Sequence, residues 1–160
     1  MVVATADLDT AVVAAWNAST LNTTFEALGG TSPLLWDEEA PAGQEFPYCV
    51  MRTIDISREA RMSALVGTRE VRRINKKFSV LAKEVTGDSR TAKEIAAYLV
   101  EEVMKVYGGH PTQVPTGTLT LSNGNHITTF YDTDMGIRIE DAIYQWDISY
   151  LFIVDVPVAG

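Results

Sequence analysis

The chain has 160 residues, of which 46% are hydrophobic and 21% charged, with a net charge of −8 and one cysteine. That length and mix fit a single globular domain spanning 1–160, and a lone Cys49 excludes an internal disulfide and the closed Cys-rich zinc sites. The negative balance argues against sequence-independent DNA binding, which needs a field of the opposite sign.

The start, MVVATADLDT, carries no cationic stretch and no long apolar run, so no secretory signal is expected. No apolar run approaches the ~20 residues that span a bilayer, so the expectation is a soluble protein, made inside the cell, without a membrane partner. Asp7 or Asp9 can cap a first helix, whose stripe runs through Leu8, Val12, Val13, Trp16, Leu21, Phe25 and Leu28. The Asn-, Ser- and Thr-rich stretch 17–24 predicts a break near residue 19, and Gly29-Gly30 ends the helix. Residues 31–47 read as a loop punctuated by Pro33, Pro41, Gly43 and Pro47.

Tyr48 to Ile54 predicts a strand, and residues 55–69 a long loop or mobile hairpin. Glu70 to Glu84 fits either a helix, through Val71, Ile74, Phe78 and Leu81, or a strand, through Ile74, Phe78, Val80 and Ala82; periodicity alone leaves both open. A second helix follows from Thr91 to Tyr107, where Thr91 and Glu94 form a capping box and Gly108-Gly109 with Pro111 supply the stop. Asn123-Gly124 predicts a β-hairpin over 118–129. From Tyr144 to Val156 apolar and mixed positions alternate, as in a strand of a sheet with helices on one side. The expected architecture is α+β: a mostly antiparallel twisted sheet of about four or five strands packed against two helices.

The sequence offers little chemistry. It has no G-x-x-x-x-G-K-[ST] loop, no strand-borne G-x-G-x-x-G, no H-E-x-x-H and no G-x-S-x-G. His110 and His126 read as loop residues, although histidine titrates near neutrality and either could act as a base. Cys49 reads as a small hydrophobe inside a strand. Asp132, Asp134 and Gly136, with Glu140 and Asp141 after them, form the best metal candidate, yet the calcium-loop spacing fails and a solvated turn between strands is expected. No catalytic, cofactor or metal residues are therefore assigned. The competing enzyme reading would be a small metal-dependent hydrolase built on His126, Asp132 and Asp134. A third reading, a ligand-binding module with a pocket under the 55–69 loop, rests on loop length alone.

Charge is laid out unevenly. Eleven of the thirteen Lys and Arg fall between Arg52 and Lys93 against five acids, so this block carries +6 and the remainder −14. Such separation bears on association more than on folding. Arg58, Arg61, Arg69, Arg72, Arg73, Lys76 and Lys77 are thus candidate protein-interface residues, set against the plainer reading of a solvated strand or helix face. A nucleic-acid patch would want interleaved aromatics, and only Phe78 is present.

The stretch Leu35 to Val50, with Ala40-Pro41-Ala42-Gly43 and then Pro47-Tyr48 entering a strand, resembles the tail terminator (tail completion) proteins of long-tailed bacteriophages. The order of elements is also similar through most of the chain: an N-terminal helix, a loop, a strand, a long loop, a second strand ending in a phrase like Phe78-Ser79-Val80-Leu81-Ala82, a helix, and C-terminal strands. The resemblance implies a strand for 70–84, with the 118–129 hairpin as an embellishment. It also implies a virion structural protein of the tail–neck junction, assembled in the bacterial cytoplasm and without catalysis. Such a protein forms a ring, hexameric in the family, that caps the head-proximal end of the tail tube and stops its polymerisation. Its partners would be its own copies, the tail tube protein and the head–tail connector or stopper, with DNA passing through the lumen unbound. A stopper or head-completion protein of the same neck is the neighbouring role. A closed ring needs two different patches on each subunit, and the basic block meeting an acidic neighbour or tube end would supply them.

Overall fold

The computed structural model describes residues 2–58, 69–108, 127–140 and 142–157. In chain order these form α1 (Val2–Ala18), α2 (Leu21–Ala27), β1 (Leu35–Asp37), β2 (Tyr48–Arg58), β3 (Arg69–Lys83), α3 (Ala92–Tyr107), β4 (Ile127–Glu140) and β5 (Ile143–Pro157). The five strands make one sheet in the order β1-β2-β3-β5-β4, antiparallel throughout except for the parallel β1–β2 pair. The fold is α+β.

The N-terminal helix breaks where its polar stretch predicts. The Ser19 hydroxyl donates to the Trp16 carbonyl at 2.6 Å and accepts from the Leu21 amide at 3.2 Å, closing α1 and opening α2 with one side chain. Trp16 spans the elbow: its indole N–H donates to Asn22 Oδ1 at 2.7 Å, and its ring lies 5.2 Å from that of Phe25. Asp7 and Asp9 do not cap this helix. It begins at Val2, which places both inside it. Gly29, at φ 104, turns the chain out of α2.

The 31–47 loop contains a short strand that alternation cannot reveal. β1 has three residues, held by Leu35↔Cys49 to Asp37↔Met51 pairing and by the Cys49 amide donating to Leu34 O at 2.8 Å. Helix α3 starts on the predicted box: Thr91 Oγ1 accepts from the Glu94 amide at 3.2 Å while Glu94 Oε2 accepts from the Thr91 amide at 3.1 Å. Its buried face runs through Ile95, Ala96, Leu99, Val100, Val103, Met104 and Tyr107.

The 70–84 segment is a strand rather than a helix: it is the central β3 (Arg69–Lys83), paired with β2 on one side and β5 on the other. The loop expected over 55–69 is shorter, because β2 continues to Arg58 and β3 begins at Arg69; residues 59–68 lie outside the described residues. Of the hairpin expected over 118–129, residues 118–126 also lie outside them, and 127–129 begin β4. The turn expected at Asp132 to Gly136 is instead strand. β4 runs through it with a register shift between Tyr131 and Thr133, so Asp132 is the extra residue of a bulge.

The core lies between one sheet face and the helices. Phe78 of β3 stacks on Tyr107 of α3 (centroids 4.9 Å, 26° between planes) and meets Tyr150 of β5 edge-on at 5.7 Å. The Tyr107 hydroxyl donates to the Val12 carbonyl of α1 at 2.7 Å and the Tyr150 hydroxyl to the Gly108 carbonyl at 2.6 Å. Buried tyrosines thus bury large rings and still satisfy their polar tips, and here one tip ties α3 to α1 and the other ties the end of α3 to the sheet.

Candidate functional site

Strand alternation divides the basic run between two faces of the sheet. Arg72 and Lys76 lie in register with Ile74, Phe78, Val80 and Ala82, on the side that faces the helices, and retain 7% and 0% exposure. The run is therefore not one solvated surface, and Lys76 is a core residue. Its ammonium donates to Thr53 Oγ1 at 3.0 Å and is ion-paired to Asp9 on α1. A lone ammonium at such a site would carry a large desolvation cost, which a carboxylate and a hydroxyl together offset.

Arg73 and Lys77 project from the other face, which none of the described helices covers. Arg73 is exposed, and the Lys77 ammonium lies 3.7 Å from Asp147 of β5. Arg52, cross-strand from Lys77, sends its Nε to the Glu38 carbonyl at 2.8 Å. Arg58 and Arg69 sit on the same β2–β3 ribbon nearer its end, where Arg58 pairs with Arg72 and Arg69 with Pro157; Arg61 lies outside the described residues. A further cation missed by sequence reasoning is Lys83, whose ammonium sits 4.9 Å from the centre of the Phe46 ring.

One row of residues crosses this face: Trp36, Val50, Ser79, Asp147 and Met135 are register partners from β1 to β4, and Val50, Ser79 and Asp147 are buried within it. Asp147 accepts from Gln145 Nε2 at 2.7 Å. Trp36 Nε1 and Ser79 Oγ are buried without a hydrogen-bond partner. Next to the row, β2 beyond Met51 has no strand on its outer side among the described residues, and a register shift at Ile54 leaves Ile54 and Ile56 at 58% and 46% exposure. Met135, at the far edge, is 58% exposed.

Acids gather beside the β1–β2 pair, against the basic ribbon itself: Glu38 Oε1 accepts from the Thr53 amide at 3.4 Å next to the Arg52 contact. The Asp37 carboxyl is held above its usual range, first by burial and then by the neighbouring Asp9 and Glu38, while Lys76 pulls it back down. Among the described residues no three His, Cys, Asp or Glu side chains come together as a metal site. Asp132 and Asp134 are placed only as positions of β4, and His110 and His126 lie outside the described residues. Cys49 is fully buried, and burial pushes its thiol well above the usual value, aided by the Asp147 carboxylate. Among the described residues, a cavity of about 530 Å³ lies between Ala27, Leu28 and the 85–90 loop, and another of about 140 Å³ sits at the α1–α2 elbow beside Leu35. Among the described residues the arrangement is one of an acidic segment laid against a basic ribbon rather than of convergent reactive groups.

No protein-family model and no curated protein matches the sequence. Among solved structures, a chain from the virion of a native gene transfer agent (GTA) particle is similar at 16% identity and a TM-score of 0.63, over 95% of this chain and 97% of that one. At that identity the likeness is one of fold.

Proposed function

We propose that this chain is a structural protein of a phage-like virion and, within that class, a tail terminator. The observation that carries the reading is the end-to-end fold likeness to a chain of the GTA virion, which leaves almost no residue of either chain outside the match. The A-P-x-G and Pro-Tyr phrases at Ala40–Gly43 and Pro47-Tyr48 support the narrower role. In this reading the protein closes into a ring on the head-proximal end of the tail tube, halts tube growth and presents a surface to the connector or stopper. Its partners are its own copies, the tube protein and the neck, its place is the tail–neck junction of the particle, and its role is architectural, with no catalysis. DNA passes the ring without being bound, as suits a chain of net charge −8.

The test is deletion of the gene in the particle-producing cell, followed by electron microscopy of the lysate. Tubes of uncontrolled length without heads are expected. Tubes of normal length beside heads that lose their DNA would move the role to a stopper, and particles of normal form and titre would overturn the virion reading.

A further inference from the structure

The first 51 residues contain seven acids and not one Lys or Arg. They build α1, α2, β1 and the start of β2. Asp9 is taken up by Lys76, but Glu26, Asp37, Glu38, Glu39 and Glu45 are exposed. The 140 Å³ recess opens in this same part of the molecule, lined by Val13, Trp16, Pro33 and Leu35 and by the polar Asn17, Asn22 and Ser32, with Val13 itself 37% exposed.

The outer half of the β2–β3 ribbon has the complementary character. Ile54 stands out at its edge beside the bulge, with Arg52, Asp55, Arg73 and Lys77 along one face of the ribbon and Ile56, opposite Ile74, on the other. An apolar centre with a charged rim is the usual anatomy of a protein interface. Two different patches on one chain, one basic with an apolar knob and one acidic around a recess of mixed apolar and polar lining, make a heterologous, head-to-tail contact.

We propose that the Arg52–Ile56 edge of β2, with Arg73 and Lys77, is a self-association surface that seats on the acidic α1–β1 side of a second copy, Ile54 entering the recess at the α1–α2 elbow. This rests on the ring-forming reading above and names its two surfaces. Lys76 and Arg72, although central in the basic run, take no part, because they are turned into the core. Rim charges steer encounter and weaken with salt, while the apolar knob supplies the anchor.

The experiment uses two variants of the full chain, Ile54→Asp/Arg73→Glu on the knob side and Glu39→Lys/Glu45→Lys on the recess side, each checked for folding by circular dichroism and thermal melting. By native mass spectrometry and sedimentation, wild type is expected to form oligomers, and each variant alone to be monomeric, with self-association weakened at least tenfold. Mixing the two variants should give a 1:1 heterodimer and nothing larger, because each retains one intact half of the contact; that outcome distinguishes a head-to-tail contact from general charge effects. Should either reversal misfold, the milder Ile54→Ser and Glu39→Gln variants are compared in the same assay. Wild type that stays monomeric at every concentration and salt overturns the proposal, as do rings unaffected by the substitutions or mixed variants that remain monomers. Variants that keep their rings but fail to limit tube length would reassign the surfaces to the tube, leaving the terminator reading intact.

Discussion

Lys76 and Asp9 form an ion pair between the centre of the sheet and the first helix, with Lys76 fully buried and the Asp9 side chain 25% exposed. The pair explains a residue that charge patterning alone misplaces. Lys76 lies in the most basic stretch of the chain, yet it anchors α1, a helix whose own apolar positions do not define a sharp stripe.

Breaking the pair on one side leaves a charge stranded in the core. Asp9→Ala is expected to lower unfolding free energy in urea by about 3 kcal/mol, the low end for a broken buried pair because Asp9 keeps some contact with water. Lys76→Met alone should cost less, since it leaves only the more exposed partner, and Asp9→Leu/Lys76→Met should recover much of the loss. A double variant no better than Asp9→Ala would mean that the pair orders α1 through geometry that apolar side chains do not replace.

Tyr107 ties α3 to α1 by one hydrogen bond to the Val12 carbonyl at 2.7 Å while its ring stacks on Phe78. Tyr107→Phe keeps the ring and removes a second hydrogen bond from a carbonyl that α1 already pairs, so about 1 kcal/mol should be lost. Hydrogen exchange should localise the effect, with α1 amides exchanging faster and α3 amides little changed.

The elements that the sequence announces are those whose determinants are local. Thr91 and Glu94 cap α3 with each other, Ser19 breaks the N-terminal helix within three residues of itself, and the Tyr144–Val156 alternation is that of a strand with one core face. β1 is missed because three residues hold no periodicity and their pairing partner lies beyond the 38–47 loop. β3 is ambiguous because Lys76 occupies a core position, so the apolar pattern has a gap where a buried ion pair stands. At the candidate site the block of positive charge is legible, but its division into buried Arg72 and Lys76 and outward Arg73 and Lys77 depends on which face of β3 meets the helices. Trp36 and Ser79, with their unpartnered polar atoms, carry no sequence signal at all.

Gly30 packs where no side chain fits. A Cβ there would lie 2.6 Å from the Pro47 carbonyl oxygen and 2.7 Å from Leu34 Cδ2. Gly30→Ala should therefore cost about 1–3 kcal/mol through overpacking. Gly43 is the control: open space surrounds it, but its φ of +85 strains any side chain, so Gly43→Ala should cost about 1–2 kcal/mol with no disturbance of the Leu34 contacts. Equal chemical-shift changes around Leu34 in both variants would contradict the distinction.

Asp88 accepts three hydrogen bonds from the Arg90 side chain and one from its amide, which hold its pKa down to about 2. A carboxylate with a depressed folded pKa contributes stability that is complete above its unfolded pKa of about 4 and fades as pH falls toward 2. Melting temperatures of wild type and Asp88→Asn should thus differ most above pH 4 and converge below it. A gap that is constant from pH 6 to pH 2 would assign the effect to the amide's altered hydrogen bonding instead.

Cys49 is the single thiol, with no exposed surface, beneath the β1–β2 pair, and both burial and the Asp147 carboxylate disfavour its thiolate. Native protein should therefore resist thiol reagents, and labelling should require opening of the sheet. Across a urea series at fixed pH, the labelling rate is expected to follow the unfolded fraction measured by circular dichroism. Since β1 is held by only three register pairs, the alternative outcome is specific: labelling that outpaces global unfolding would show that β1 and the 38–47 loop detach as a unit before the rest of the sheet.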